Sequence, residues 1–151
     1  RPAGRAYSLV EFPAPFLLGY PRETVVAEKF QAMVYLETFN SRMKDFYDIW
    51  FLARHFAFEG AILMVAIQAT FAHRNTTVSS DPIAFSELFT QSPAKQTQWA
   101  AFRRKNNLQH APEQLSEVVR VLAEFLCPVA QACENHLQFF HKKWKPCGPL
   151  Q

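Results

Sequence analysis

The stretch ETVVAEKFQAMVYLETFNSRMKDFYDIWFLAR, residues 23–54, decides how the chain is read. Pro21 suits the first turn of a helix, where its missing N–H is not needed, and Glu23 follows where a negative charge favours the N-terminal dipole. The first helix is predicted to run from 21 to about 37, with Val26, Phe30, Met33 and Val34 on its apolar face and Glu23, Glu28 and Gln31 pointing elsewhere. At about 100° per residue, Lys29 falls about 60° from Val26, at the flank of that face. Asn40 and Ser41 are good N-cap residues for a second helix from 42 or 43 to about 56. Met43, Phe46, Tyr47, Trp50 and Ala53 form its inward stripe, while Asp45, Asp48 and Leu52 share an adjacent one, so both carboxylates project from one face. The short connection predicts an antiparallel hairpin that brings Lys29 near the two aspartates.

Outward from this hairpin the pattern stays helical. The chain has 151 residues, 49% of them hydrophobic and 15% aromatic, enough for a substantial core in one domain or part of one. Residues 1–20 carry Pro2, Pro13, Pro15 and Gly19, and 6–12 is the one strand-like run, a short edge strand followed by a proline loop. Residues 61–74, AILMVAIQATFAHR, are apolar nearly all round and read as the central core helix. A turn-rich loop follows over 75–82 and one helical turn over 83–92. Pro93 then opens a helix with Trp99 and Phe102 facing inward and Arg103, Arg104 and Lys105 outside. Pro112 opens the last long helix, which Pro128 is expected to kink or interrupt before it resumes over 129–144.

The net charge of +3 is too small to argue for nucleic acid by itself. Arg103, Arg104 and Lys105 are a local basic cluster, which either solvates a helix end or touches an RNA backbone. The three cysteines form no CxxC pair, which fits a reducing cytoplasm. No apolar run nears the roughly 20 residues of a membrane helix, and the opening RPAGRAYSLV is unlike a signal peptide. The sequence starts without a methionine, as expected of a piece cut from a longer chain. Cys133, His136 and His141 lack zinc-site spacing. GxGxxG, GxxxxGK[ST] and GxSxG are all absent, so the usual signals for dinucleotide, P-loop and serine-hydrolase chemistry are missing.

Lys29, Arg42, Lys44, Asp45 and Asp48 remain as the candidate chemistry. A lysine near the core can serve as a point charge for phosphate, and a neighbouring aspartate can hold that lysine or take a proton from an attacking hydroxyl. Equally, Asp45 suits a first helical turn, and Lys44 with Asp48 is an i,i+4 pair of the kind that contributes about 0.3–0.5 kcal/mol when exposed. Spacing alone leaves both readings open.

At these residues the sequence resembles the nucleotidyltransferase-like toxins of the AbiEii/AbiGii type. Pro21-Arg22-Glu23-Thr24-Val25-Val26-Ala27-Glu28-Lys29 is similar to that family's ETxxAEK segment, and Arg42-Met43-Lys44-Asp45-Phe46-Tyr47-Asp48-Ile49-Trp50 to its RxKDxxDL segment. Later stretches, from Phe71-Ala72-His73-Arg74 through Gln98-Trp99 to Phe125, are similar in order and spacing. The resemblance implies a mainly α fold, a helical bundle with one short N-terminal strand, forming the C-terminal half of a DNA polymerase β-like nucleotidyltransferase. It divides the chain into a lead-in over 1–20 from the upstream half, a helical domain over 21–144 containing the 21–56 hairpin, and a tail over 145–151. It implies that Lys29 contacts the phosphates of a nucleoside triphosphate, with Arg42 and Lys44 beside it, and that Asp45, or alternatively Asp48, completes the site. It further implies a cytoplasmic toxin of an abortive-infection system, a cognate antitoxin from the same operon, Mg²⁺, and an RNA acceptor such as tRNA.

The sequence departs from the family pattern in one respect. It contains neither the Gly-Ser turn nor the Asp-x-Asp pair that holds the metal–nucleotide complex in the family, and its remaining aspartate, Asp81, stands in a loop. This stretch alone is therefore expected to be inactive, with the metal ligands lying elsewhere. The alternative is a non-catalytic helical module that binds a nucleotide or a protein.

Overall fold

In the computed structural model, which describes residues 21–138 and 140–151, the hairpin is present as two helices, α1 (Pro21–Leu36) and α2 (Met43–His55). They are joined through a 3₁₀ turn at Glu37–Phe39, where Glu37 takes a left-handed φ of 51°. The helices are antiparallel: the Arg22 guanidinium, in the first turn of α1, lies 4.5 Å from the centre of the Phe56 ring just beyond α2, and Lys29 meets the opening turns of α2. Next come α3 (Gly60–His73), the short α4 (Glu87–Thr90), α5 (Pro93–Lys105) and α6 (Leu115–Glu134), making a mostly helical bundle as the sequence predicts. The strand expected over 6–12 lies outside the described residues.

α1 is buried more completely than α3, the helix whose sequence is apolar nearly all round. Val25, Val26, Ala27, Phe30 and Met33 of α1 are buried, but so are Glu23, Glu28 and Gln31, which the sequence places on an outer face. Partners far along the chain allow two of these polar burials: Arg74 forms an ion pair with Glu28 at 3.1 Å, and Gln31 Nε2 donates to Thr76 Oγ1 at 2.8 Å. The more apolar α3 buries Leu63, Met64, Ile67 and Phe71 against α1 and α6, while Val65 stays 61% exposed.

Pro128 does not interrupt α6, which runs unbroken through it. A proline forfeits one hydrogen bond to the carbonyl four residues back, here that of the exposed Glu124. Beyond the proline, Val129, Ala130, Ala132 and Cys133 are all buried, and their packing holds the helix together. The helix ends at Glu134 and does not resume among the described residues. Instead the chain returns as β2 (Lys143–Trp144), which pairs antiparallel with β1 (Phe58–Glu59), Phe58 opposite Trp144. Two-residue strands are too short to leave an alternating pattern in the sequence.

Trp144 anchors this return against the end of α2. Its ring packs 4.9 Å from Phe125, and both its indole Nε1 (2.8 Å) and the Cys147 amide (3.0 Å) donate to the Ala53 carbonyl. Gly60 makes room for the approach, since a Cβ there would strike the Phe140 ring and lie 2.5 Å from the Lys142 carbonyl oxygen. The 83–92 stretch holds a 3₁₀ turn at Ile83–Phe85 and then α4, whose N-cap Ser86 accepts from the Phe89 amide. No helix among the described residues is long and apolar enough to cross a membrane.

Candidate functional site

The hairpin brings together all five charged residues singled out on it. Lys29 Nζ lies 3.1 Å from Asp45 Oδ1 and 3.1 Å from Asp48 Oδ2, so one ammonium bridges both carboxylates. Arg42 Nε approaches Asp45 Oδ2 at 2.8 Å, and Lys44 Nζ approaches Asp48 Oδ2 at 2.7 Å. The Arg42 contact is ionic and does not satisfy hydrogen-bond geometry, so Asp45 Oδ2 is left without a hydrogen bond. Three cations around two carboxylates leave the cluster with one net positive charge.

Burial separates this arrangement from ordinary surface pairing. The Asp45 and Asp48 side chains are 3% and 2% exposed and Lys29 is 14% exposed, whereas Arg42 and Lys44 are 57% and 48% exposed. Lys44 and Asp48 are thus not the solvated i,i+4 pair that spacing alone allows. The carboxylates form a buried floor, Lys29 lies across it, and Arg42 and Lys44 reach solvent from its rim. Local sequence explains the layout: Asp45 sits in the first turn of α2, where its charge meets the helix dipole, and Asp48 follows one turn on. Phe46, Ile49 and Leu52 drive the adjacent stripe into the core and carry both carboxylates in with it.

The turn that leads into α2 is fixed from two sides. Asn40, fully buried, accepts from the Arg42 amide through Oδ1 at 2.7 Å. Its backbone carbonyl accepts from Lys95 Nζ at 2.6 Å, and that ammonium also lies 5.1 Å from the Phe89 ring centre. Sequence reasoning missed Lys95; a cation in the first turn of a helix, against the dipole, is the signal that marked it. It also missed His110, whose Nε2 lies 2.7 Å from the Tyr47 hydroxyl. Tyr47 is half-buried and not part of the fully inward stripe, and its pKa is raised by burial and then by the negative charge of Asp48.

The basic cluster on α5 lies elsewhere. Arg103 donates to the Ala111 and Gln109 carbonyls at 3.0 and 3.3 Å and so ties down the loop after α5, while Arg104 and Lys105 are exposed. A cleft of about 490 Å³ lies between α5 and that loop, lined by Arg103 and Arg104 among others, and it shares no residue with the Lys29 cluster.

The cluster suits an anion better than a metal. Mg²⁺ takes near-octahedral oxygen ligation, but the oxygens of Asp45 and Asp48 already face three cations. No group of three or more His, Cys, Asp or Glu residues among those described could hold a metal ion. The donor set does not fit Mg²⁺.

The site is thus a lysine held between two buried carboxylates, with two half-exposed cations at its rim, in a mostly helical bundle. The sequence narrows this to a family: residues 4–121 match the model described as "Nucleotidyl transferase AbiEii toxin, Type IV TA system", and the chain belongs to that family. The matched span includes both hairpin segments and all of α1 to α5. Membership implies a nucleotidyl transferase toxin of a type IV toxin–antitoxin system, with a nucleoside triphosphate as substrate, a divalent metal as the family generally uses, and an antitoxin partner. No curated protein and no solved structure matches the chain.

Proposed function

We propose that the hairpin cluster is the phosphate-binding wall of a nucleotidyl transferase toxin that transfers a nucleotide onto an RNA acceptor. Lys29 receives the triphosphate, assisted by Arg42 and Lys44 at the rim. An ammonium carries three donors and a guanidinium five, so phosphate oxygens and carboxylates can share them. Asp45 orients Lys29, with Asp48 as its second support. In the transfer, an acceptor hydroxyl attacks the α-phosphorus, the new P–O bond forms, the bond to the bridging oxygen breaks, and pyrophosphate leaves. The acceptor proton goes to a base, a role Asp45 fits less well because Oδ1 is engaged by Lys29. Arg104 and Lys105 are the exposed members of the α5 cluster that would touch the RNA backbone.

The observation that carries this reading is the single ammonium, 14% exposed and 3.1 Å from both buried carboxylates. The test is transfer of labelled nucleotide to tRNA and to other RNA by the full-length protein. Lys29→Ala and Asp45→Ala are expected to abolish transfer; transfer at the wild-type rate by both variants would overturn the assignment. A second reading, nucleotide binding without turnover, is favoured by the absence of Asp-x-Asp from the sequence and by the poor fit of the described carboxylates to a metal. It predicts that the protein binds nucleotide but transfers none to any acceptor.

A further inference from the structure

The phosphate reading leaves one face of α2 without a role. At about 100° per residue, Lys44, Tyr47, Phe51, Arg54 and His55 fall within a sector of about 100°. All five are exposed or half-buried, and the two aspartates are sunk beside them. The rings on this face are organised. His55 lies against Phe51 with centroids 4.2 Å apart, Tyr47 sits 6.0 Å from Phe51, and His110 meets Tyr47 edge-on at 5.8 Å while sharing the 2.7 Å hydrogen bond with its hydroxyl. Cations stand at both ends, Lys44 at the start of the helix and Arg54 at its close, where the Arg54 guanidinium lies 5.1 Å from the Trp50 ring centre.

We propose that this face is a shelf for the base and ribose of a mononucleotide whose phosphates rest on Arg42 and Lys44, an assignment that itself rests on the phosphate-binding reading above. Seven residues separate Lys44 from Phe51, about 10 Å along the helix axis, so the rings stand a short way from Lys44 on the same side of the helix. Charge matches as well: the exposed side chains of the face are aromatic or basic, the combination that holds a nucleotide by stacking on its base and pairing with its phosphates. The Tyr47–His110 pair closes the shelf on the side of the 108–111 loop and offers a hydroxyl and a ring nitrogen to a base edge.

The test compares binding of ATP, GTP, CTP and UTP with binding of inorganic tripolyphosphate, by calorimetry on the full chain. His110→Ala and Phe51→Leu are expected to weaken nucleoside triphosphate binding by about 5- to 150-fold, the range for losing a base–aromatic stack. Both should leave tripolyphosphate binding unchanged, whereas Lys44→Ala should weaken both ligands. If the ring variants bind nucleotides as wild type does while Lys44→Ala still weakens tripolyphosphate, the shelf is refuted and the phosphate wall stands. If wild type binds neither ligand, both readings fall. Should Phe51→Leu fail to fold, His110→Ala and His55→Ala, at exposed positions, carry the same comparison.

Discussion

Replacing Lys29 with Met keeps the length of the side chain and removes the ammonium that Asp45 and Asp48 share. Each carboxylate then loses a cation 3.1 Å away while remaining almost fully buried. Asp45 keeps Arg42 and Asp48 keeps Lys44, but both of those side chains are about half exposed, so water screens their help. Removing one member of a buried ion pair costs about 3–5 kcal/mol because the partner charge is stranded, and the two remaining cations place this case near the lower end, about 3 kcal/mol. For a chain of this size each kcal/mol shifts the melting temperature by about 2–4 °C, so Lys29→Met should melt about 6–12 °C below wild type. Thermal unfolding followed by circular dichroism reads this directly, with urea midpoints as a second measure. The triple variant Lys29→Met/Asp45→Asn/Asp48→Asn, which removes the stranded charges too, should recover more than half of the loss. A Lys29→Met melting point equal to wild type, or a triple variant less stable than the single one, would refute the account of a buried floor held by one lysine.

Four other outcomes follow from the packing and the thiols. Gly60→Ala, whose Cβ would strike Phe140 and the Lys142 carbonyl, should force β1 and β2 apart and cost about 1–3 kcal/mol; rapid hydrogen exchange at the Gly60 amide, which now donates to Lys142 at 2.7 Å, would show where the damage lies. Trp144→Phe keeps a ring in place but loses the bond to Ala53, and a fall of about 1–2 kcal/mol is expected in urea unfolding. The pKa values of Cys127 and Cys133 are both pushed up to about 11, chiefly by burial, then by Asp81 and Glu134 at Cys127 and by Glu134 at Cys133. The exposed Cys147 should therefore take up iodoacetamide first at pH 8, as peptide mass mapping would reveal. Because the folded chain holds these two protons more tightly than the unfolded one, stability should fall as pH rises from 9 through 11, and less steeply in Cys127→Ala and Cys133→Ala.

How much of this is legible in the sequence depends on the range of each cause. Pro21 and Glu23 mark the start of α1 within one turn, because prolines and first-turn charges act locally; the N-cap of α2 is Arg42, not Asn40 or Ser41, and no side chain caps it, although Asn40 Oδ1 accepts from the Arg42 amide. Which helix is buried more deeply is not decided locally. Residues 61–74 carry the more apolar sequence, yet α1 is the more buried helix because Arg74 and Thr76, more than forty positions further on, supply partners for Glu28 and Gln31. Pro128 misleads for the same reason, since a proline reads as a break until the burial of the turn beyond it is known. At the site, residue spacing and the family resemblance nominate Lys29, Asp45 and Asp48 together. What spacing cannot convey is their depth, which turns an ordinary-looking i,i+4 pair into a buried carboxylate with a surface cation. His110 lies 63 positions from Tyr47 and leaves no signal in the sequence at all.

The depth of the carboxylates bears on why the cluster exists. If the hairpin needed only to be held together, apolar side chains of similar volume would do so as well or better, since the desolvation of buried charges offsets most of their attraction. The cluster also leaves Asp45 Oδ2 buried with an ionic contact from Arg42 but no hydrogen bond, an arrangement that costs stability. A buried negative floor does serve a purpose beneath a phosphate site. Under the proposed phosphate-binding reading it fixes Lys29 in one place when no ligand is bound, and it leaves the half-exposed Arg42 and Lys44 to move toward an incoming anion. Stability of the domain and affinity for an anion therefore respond differently to loss of the two carboxylates. The Asp45→Asn/Asp48→Asn double variant with Lys29 intact should fold, yet bind tripolyphosphate more weakly despite its greater positive charge, because the ammonium has lost the partners that position it. Tighter binding by that variant would mean that net charge, not the placement of Lys29, governs the site.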